Sequence, residues 1–265
     1  KAELRRRTDE AIELGFFGVP GFRVDSEIYW GQDRMHFVEE ALGGSPSTVA
    51  RVAHRPGSEI LPVDFYFDYS SPFSYLAAMR VPDYLGAHAR WKPMLLGAVF
   101  KSVGTANVPL FEASPAKQRY LQLDCNRQAE EAQAEFRWPS RFPMNTVLPL
   151  RMTILAQRQD PARVQGFIRA TYVGFWARDL DISNPEVMAA IADDNGMDGA
   201  ALVAGTQNQV IKDALRKNTE EAVEDGVFGA PSFVVRQGDS RASLYWGNDR
   251  LPLAVRAAQG DERIL

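Results

Sequence analysis

The chain has 265 residues, of which 45% are hydrophobic and 24% charged, with a formal net charge of −4. This is ordinary globular composition, which argues against a disordered chain or a coiled coil, and the acidic balance offers no general basic surface for nucleic acid. The single cysteine, Cys125, excludes an intrachain disulfide and a dithiol redox centre, and His36, His54 and His88 show no metal-ligand spacing.

Residues 1–42 read as a helix, a Gly-Pro turn through Gly18 and Pro20, two strands around a turn, and a closing helix. Two edge strands and two helices lack the partners needed to bury their apolar faces. Phe17, Phe22, Ile28, Tyr29, Phe37, Val38 and Leu42 therefore need cover, since a large apolar side chain left in water forgoes about 1.5–3 kcal/mol. Residues 43–62, with Gly43-Gly44-Ser45-Pro46-Ser47 and Arg55-Pro56-Gly57-Ser58, read as a linker.

Val63–Tyr69 is an aromatic and β-branched run with strand alternation. Ser71 directly precedes Pro72, which places Ser71 as the N-cap and Pro72 as the first residue of a helix carrying Tyr75, Leu76, Met79 and Val81. Trp91–Leu95 reads as the next strand, and a β-α-β start makes the two strands parallel. Helices are expected over 115–136, 146–159, 161–178, 184–194 and 213–224, the last ended by Gly226. Pro231 precedes a strand at Phe233–Val235, a hairpin returns through Trp246, and Asp249 opens the final helix. Residues 259–265 are a tail. The order β-α-β, helical insert, α-β-β-α is an α/β thioredoxin-like arrangement with a large helical insertion. No apolar run approaches the ~20 residues that span a bilayer.

The end of the chain repeats its beginning. Leu4-Arg5, Thr8, Glu10-Ala11, Glu13, Gly15, Phe17-Gly18, Pro20 and Phe22 match Leu215-Arg216, Thr219, Glu221-Ala222, Glu224, Gly226, Phe228-Gly229, Pro231 and Phe233, each pair 211 positions apart. Tyr29-Trp30-Gly31 and Asp33-Arg34 match Tyr245-Trp246-Gly247 and Asp249-Arg250 at 216, so five extra residues lie in the turn around Gly238. Residues 1–42 are thus expected to be the C-terminal half of a second domain, and 63–258 a complete one. Two readings of that half stay open: a fragment of a tandem protein, or a half that swaps into or docks on another chain.

The run from Asp64 to Ala77, with Ser70-Ser71-Pro72 and Ser74-Tyr75 at its centre, resembles the opening of 2-hydroxychromene-2-carboxylate isomerases. These stand with kappa-class glutathione transferases and DsbA-like thioredoxin folds. The resemblance continues through Leu95–Lys101 and Arg141–Thr146, closes with Gly226–Phe233 and Tyr245–Arg250, and covers about residues 62–258. It implies glutathione as cofactor, with Ser71 in the place of the reactive cysteine of redox relatives. Disulfide exchange is then lost, but a hydroxyl at a helix N-terminus still favours a sulfur anion, the nucleophilic form of a thiol. Ser70 is the neighbouring alternative, and Ser71 is the serine directly before proline.

The same resemblance implies further cofactor contacts. Ala230-Pro231 takes the cis-proline position, whose preceding backbone pairs with a peptide-like ligand. Asn248 and Asp249 hold the γ-glutamyl end, and Lys101 holds a carboxylate. Phe73, Phe100, Trp138 and Phe142 wall an aromatic substrate pocket, with Asn145 on a substrate oxygen. Each has an alternative: aromatics fill cores, Lys101 is a surface lysine, Asn145 starts a helix, and Asp249 caps one. No metal is implied. The implied activity is a glutathione-dependent cis-trans isomerase acting by reversible thiolate addition on a 2-hydroxychromene-2-carboxylate-like compound. A kappa-like transferase or peroxidase, and a non-catalytic ligand-binding tandem protein, are the alternatives. The expected partners are a small aromatic substrate, with no nucleic acid and no membrane, and a homodimer or pairing through the partial repeat. The expected location is the cytoplasm.

Overall fold

The computed structural model describes residues 1–45, 60–106, 108–236 and 242–261. The body of the expected linker, the turn at Gly238 and the end of the expected tail lie outside the described residues. In chain order the elements are α1 (Ala2–Glu13), β1 (Gly21–Val24), β2 (Glu27–Trp30), α2 (Met35–Ala41), β3 (Val63–Phe67), α3 (Pro72–Leu85), β4 (Ala89–Pro93), α4 (Leu96–Ser102), α5 (Pro109–Glu112) and α6 (Pro115–Glu131). There follow α7 (Val147–Gln159), α8 (Val164–Trp176), α9 (Pro185–Asp194), α10 (Gly199–Gly205), α11 (Gln209–Glu224), β5 (Ser232–Val235), β6 (Ser243–Trp246) and α12 (Leu251–Ala258). They divide into two compact units, one of residues 1–53 with 109–125 and one of 54–108 with 126–265.

In the first unit β1 and β2 form an antiparallel hairpin with Phe22 opposite Tyr29. Tyr29, Phe37 and Val38 make a small buried cluster, with Phe22 and Val24 packed at its border. The Arg34 guanidinium grips Asp124 with Nε on Oδ1 at 2.8 Å and a second nitrogen on Oδ2 at 2.9 Å, both residues buried. Two matched bonds satisfy both charges, the condition under which a buried ion pair can stand. The Tyr120 hydroxyl accepts from the Trp30 amide at 3.0 Å, and the rings of Phe17, Trp30 and Tyr120 close over one another.

The second unit holds a four-stranded sheet in the order β4-β3-β5-β6. β3 runs parallel to β4 and antiparallel to β5, and β5 runs antiparallel to β6. Every residue of β3 is buried, as in a central strand covered on both faces. Strand alternation then sorts the core. Tyr66 and Val234 cluster with Met94, Val99, Ala222 and Val227, beneath α4 and α11. Phe65 and Phe67 instead meet Phe233, Trp91 and Tyr172, with Phe65 and Phe233 stacked at 5.1 Å.

The thioredoxin-like order and the helical insertion are as expected, while several boundaries move. The first strand stops at Phe67 because Asp68 begins a turn, with Ser71 N–H donating to its carbonyl at 3.1 Å. The second strand is Ala89–Pro93 rather than Trp91–Leu95, its register set by Val63 opposite Ala89. Leu95 becomes the N-cap of α4, a helix not anticipated, and α5 and α10 were likewise unforeseen. Helix α6 ends at Glu131, five residues early, where Gln133 takes a positive φ of 51°.

Phe65 is fully buried among Phe67, Trp91 and Phe233. Phe65→Ala should cost about 3–5 kcal/mol, as large-to-small core changes do. Urea denaturation reads this directly, and a loss below about 1 kcal/mol would mean that this ring does not organise the sheet.

Candidate active site

The turn between β3 and α3 follows from three short-range preferences. Asp68 Oδ1 accepts from the Ser70 amide at 3.0 Å, an Asx turn, and from the Ser70 hydroxyl at 3.1 Å. Ser71 is extended (φ −96°, ψ 118°) and its hydroxyl oxygen accepts from the Ser74 amide at 3.1 Å. Pro72 then starts α3 at the position where its missing N–H costs nothing. Ser71 is therefore the N-cap, as expected, and Ser70 is turned toward Asp68.

The Ser71 hydroxyl also donates to the carbonyl of Ala230, 2.9 Å away. The Ala230–Pro231 bond is cis, as the sequence led us to expect. The structure thus brings Ser71 together with Ala230-Pro231 across 159 positions of sequence. The turn at Asn248–Arg250 packs against α3, so it borders the same region. Within that turn Asn248 is buried and its amide donates to Gln128 Oε1 at 2.7 Å. Asp249 lies partly exposed, ion-paired with Arg250 at 3.0 Å, beneath a Gly247 whose φ of 111° favours glycine.

Trp138 and Phe142 also meet, with ring centroids 5.7 Å apart, and both pack on Trp176. Trp176 Nε1 donates to the Tyr69 carbonyl at 2.8 Å, which fixes this aromatic block to the strand end beside Ser70. The Trp138 Nε1 atom is buried and has no hydrogen-bond partner among the described residues. Phe73 is half-buried in the first turn of α3. Phe100 packs on the cluster around Tyr66 and Met94, Lys101 is exposed in the last turn of α4, and Asn145 is exposed with its Oδ1 on the Val147 amide at 3.1 Å. Among the described residues no hydrogen bond or ring contact joins these three to Ser71.

Sequence reasoning gave no role to Asp68 or Thr146. Asp68 is 1% exposed. Besides its two bonds to Ser70, it accepts from the Leu96 amide at 2.8 Å and the Thr146 hydroxyl at 2.7 Å. The available signal was an acid directly after the aromatic run Phe65-Tyr66-Phe67, where burial demands donors. Burial pushes its carboxyl above the ordinary carboxylate value, against the opposing pull of the bonds from Ser70, Leu96 and Thr146. Burial, reinforced by Asp124, likewise raises the Cys125 thiol well above its usual value, which keeps it protonated and inert. A groove of about 650 Å³ between α4, α7 and α11, lined by Leu95, Ala98, Val147, Arg151 and Lys212 among others, contains none of the expected site residues. The carboxylates of Asp64, Glu221 and Asp225 also gather within 4.8 Å. Arg90 and Arg236 hold Asp64, Arg236 and the Tyr66 hydroxyl hold Asp225, and Lys92 holds Glu221, so their charge is already matched by protein groups.

A serine N-cap facing a cis-proline loop, on a sheet of order β4-β3-β5-β6 with a helical insertion, defines a thioredoxin-fold protein without a redox cysteine at the helix start. The chain belongs to the DSBA-like thioredoxin domain family, whose model matches residues 1–43 and 62–259. It is 29% identical over 192 residues to the 2-hydroxychromene-2-carboxylate isomerase of Sphingobium xenophagum, covering 71% of this chain and 93% of that protein. It is 27% identical over 200 residues to glutathione S-transferase kappa 2 of Caenorhabditis elegans, covering 72% and 88%. Among solved structures, a 2-hydroxychromene-2-carboxylate isomerase shares the fold with a TM-score of 0.64 at 24% identity, covering 76% of this chain and 95% of that one. The curated relatives named here are therefore an isomerase and a glutathione transferase. No described helix is long and apolar enough to cross a membrane.

The raised carboxyl of Asp68 has a definite sign. The folded state holds this proton to higher pH than the unfolded state, so stability falls as pH rises from the ordinary carboxylate range through the raised value. Asp68→Asn removes that titration and should flatten the fall. Urea midpoints of both proteins between about pH 4 and 7 measure it. Parallel curves would show that Asp68 does not titrate in that window.

Proposed function

We propose that the protein is a glutathione-dependent cis-trans isomerase acting on a small aromatic compound of the 2-hydroxychromene-2-carboxylate type. The observation that carries this reading is Ser71, which caps α3 and points its hydroxyl at Ala230 rather than into solvent. A hydroxyl has one proton to give. A peptide-like ligand laid along Ala230 donates an amide N–H to the Ala230 carbonyl, as an added strand would. The Ser71 proton is then released toward the ligand's sulfur, while the helix N-terminus favours its anionic form. Ligand docking and thiolate stabilisation are thereby one event.

The thiolate adds to the conjugated carbon of the substrate. A carbon–sulfur bond forms, the double bond becomes single, and its electron pair moves to the carbonyl oxygen. Rotation about the new single bond precedes return of the pair, which expels the thiolate with the other geometry. Trp138, Phe142 and Phe73 supply the aromatic wall, and the unpartnered Trp138 Nε1–H is a donor for a substrate oxygen. Asp249 meets the ligand's ammonium at the turn that packs on α3. Lys101, Asn145 and Phe100 stay as assigned by resemblance, and Asn248 acts through the turn it anchors to Gln128. Residues 63–258 form the catalytic domain in this reading, residues 1–42 a partial repeat of its C-terminal half, and the working compartment is the cytoplasm. The kinship with a kappa-class enzyme keeps one alternative, in which the adduct leaves as a conjugate.

Ser71→Ala should lower glutathione-dependent turnover by about a hundred- to a thousandfold, the usual effect of removing one donor from a reacting anion. Ser70→Ala should retain activity. Product analysis separates isomer from conjugate. Wild-type activity in Ser71→Ala with loss in Ser70→Ala would move the assignment by one residue.

A further inference from the structure

The groove between α4, α7 and α11 holds about 650 Å³ and lies wholly within the second unit. That is the size of a small-molecule site. Its walls are aliphatic. Leu95 and Ala98 come from the start of α4, Val147 from the start of α7, and Leu215 and Val223 from α11. No aromatic side chain lines it among the described residues. Two cations stand in these walls. Arg151, on α7, is partly buried, and its Nε is buried with no hydrogen-bond partner among the described residues. Lys212, in the first turn of α11, is also partly buried and makes no ion pair among the described residues. The charges around them are matched elsewhere: Asp213 takes Arg216 at 3.6 Å and the Gln209 side-chain amide at 2.9 Å, and Glu221 takes Lys92 at 3.1 Å. Holding a cation against an aliphatic wall costs free energy that a bound anion offsets.

The charge along the groove is graded. The groove reaches Gln209, the first residue of α11, so the positive end of that helix opens at the same end as Lys212. Glu220 and Glu224 line it farther along α11, about 12 and 18 Å from Lys212 by helical rise. An anionic head is therefore drawn to the Lys212 end and repelled from the other, and Leu215 lies between the two. We propose that this groove binds a small aliphatic acid, with its carboxylate held between Arg151 and Lys212 and its alkyl chain along Leu215, Val147 and Ala98. The planar guanidinium of Arg151 suits the two oxygens of a carboxylate, and the lysine adds a point charge. The walls offer no ring face on which an aromatic body could stack, whereas an alkyl chain needs only apolar area. This site is separate from Ser71 and does not rest on the proposed activity.

The test is isothermal titration calorimetry of the full-length chain with decanoate, kept below the concentration at which it forms micelles. Wild type should bind about one decanoate per chain. Arg151→Met and Lys212→Met should each raise the dissociation constant roughly tenfold or more, since each removes one of the two charges on the head and keeps an apolar stem. Ala98→Trp, which fills the groove from an exposed position on α4, should do the same. Decanol lacks the charge and butyrate lacks the chain, so both should bind roughly tenfold or more weakly than decanoate. Lys217→Met, exposed on α11 and outside the groove, should change nothing, and Ser71→Ala should bind decanoate as wild type does. Circular dichroism and urea midpoints check that each variant keeps its fold. A wild type that does not bind decanoate would overturn the proposal, as would binding indifferent to the changes at Arg151, Lys212 and Ala98. Loss of binding in Ser71→Ala would overturn it as well, by placing the ligand at the other site.

Discussion

A buried carboxylate decides the geometry of the site. Asp68 ends β3, and its oxygens are shared between Ser70, the first amide of α4 at Leu96, and Thr146 at the head of α7. These partners stand 28 and 78 positions from it in sequence. A carboxylate taken out of water costs several kcal/mol unless donors surround it. The fold can therefore bury Asp68 only with the starts of α4 and α7 drawn up to the turn that carries Ser71. The Tyr172 hydroxyl on the Asp68 carbonyl, at 3.2 Å, ties α8 to the same point. The serine is thus placed by a network that reaches it only through its backbone, the Ser71 N–H donating to the Asp68 carbonyl at 3.1 Å.

That placement gives the Ser71 hydroxyl two neighbours of opposite kind. Its oxygen is held by the Ser74 amide and its proton by the Ala230 carbonyl. The first bond fixes the side chain in direction, as any N-cap does. The second can be exchanged, because a carbonyl bordering a cis-proline loop is also the acceptor that a peptide-like ligand would seek. Rigidity on one side and exchange on the other are what an anion-stabilising donor needs. It must be aimed in advance and still be free to change acceptor at the moment charge arrives. The aromatic block of Trp138, Phe142 and Trp176, bonded to the Tyr69 carbonyl, carries the same rigidity to the flank of the turn.

What could be read from the sequence was what short-range chemistry dictates. Ser71-Pro72 announced a helix start because capping and the fixed φ of proline act over three residues. The strand expected over Val63–Tyr69, which ends at Phe67, announced itself by composition, and the repeated Trp-Gly-x-Asp-Arg turn by its recurrence. Three short helices, α4, α5 and α10, were missed because four to seven residues leave too little periodicity to recognise. The bond from the Asn248 amide to Gln128 spans 120 positions, and no local pattern carries that information. Asp68 lay inside the recognised run without a role, because its meaning depends on donors that only the folded chain brings to it. Phe100 shows the converse limit: an aromatic beside a motif fills the core as readily as it walls a pocket.

The two segments related by 211 positions separate what a sequence dictates from what its surroundings decide. The Gly-x-Pro turn, the hairpin and the Trp-Gly turn keep the same hydrogen bonds and ring distances in both. Local sequence is therefore sufficient for local shape. Burial is another matter: Trp30 is closed over by Tyr120, while Trp246 is 52% exposed. The arginine of the shared motif is equally divided. Both copies pair with the aspartate before them, Arg34 with Asp33 at 3.1 Å and Arg250 with Asp249 at 3.0 Å, but Arg34 is the more buried and adds the fork on Asp124. In the first unit the motif has become part of a structural ion pair. In the second, Asn248 makes a long-range bond to Gln128. One motif thus finds different partners in its two settings: Asp124 takes Arg34 within the first unit, and Gln128 takes Asn248 within the second.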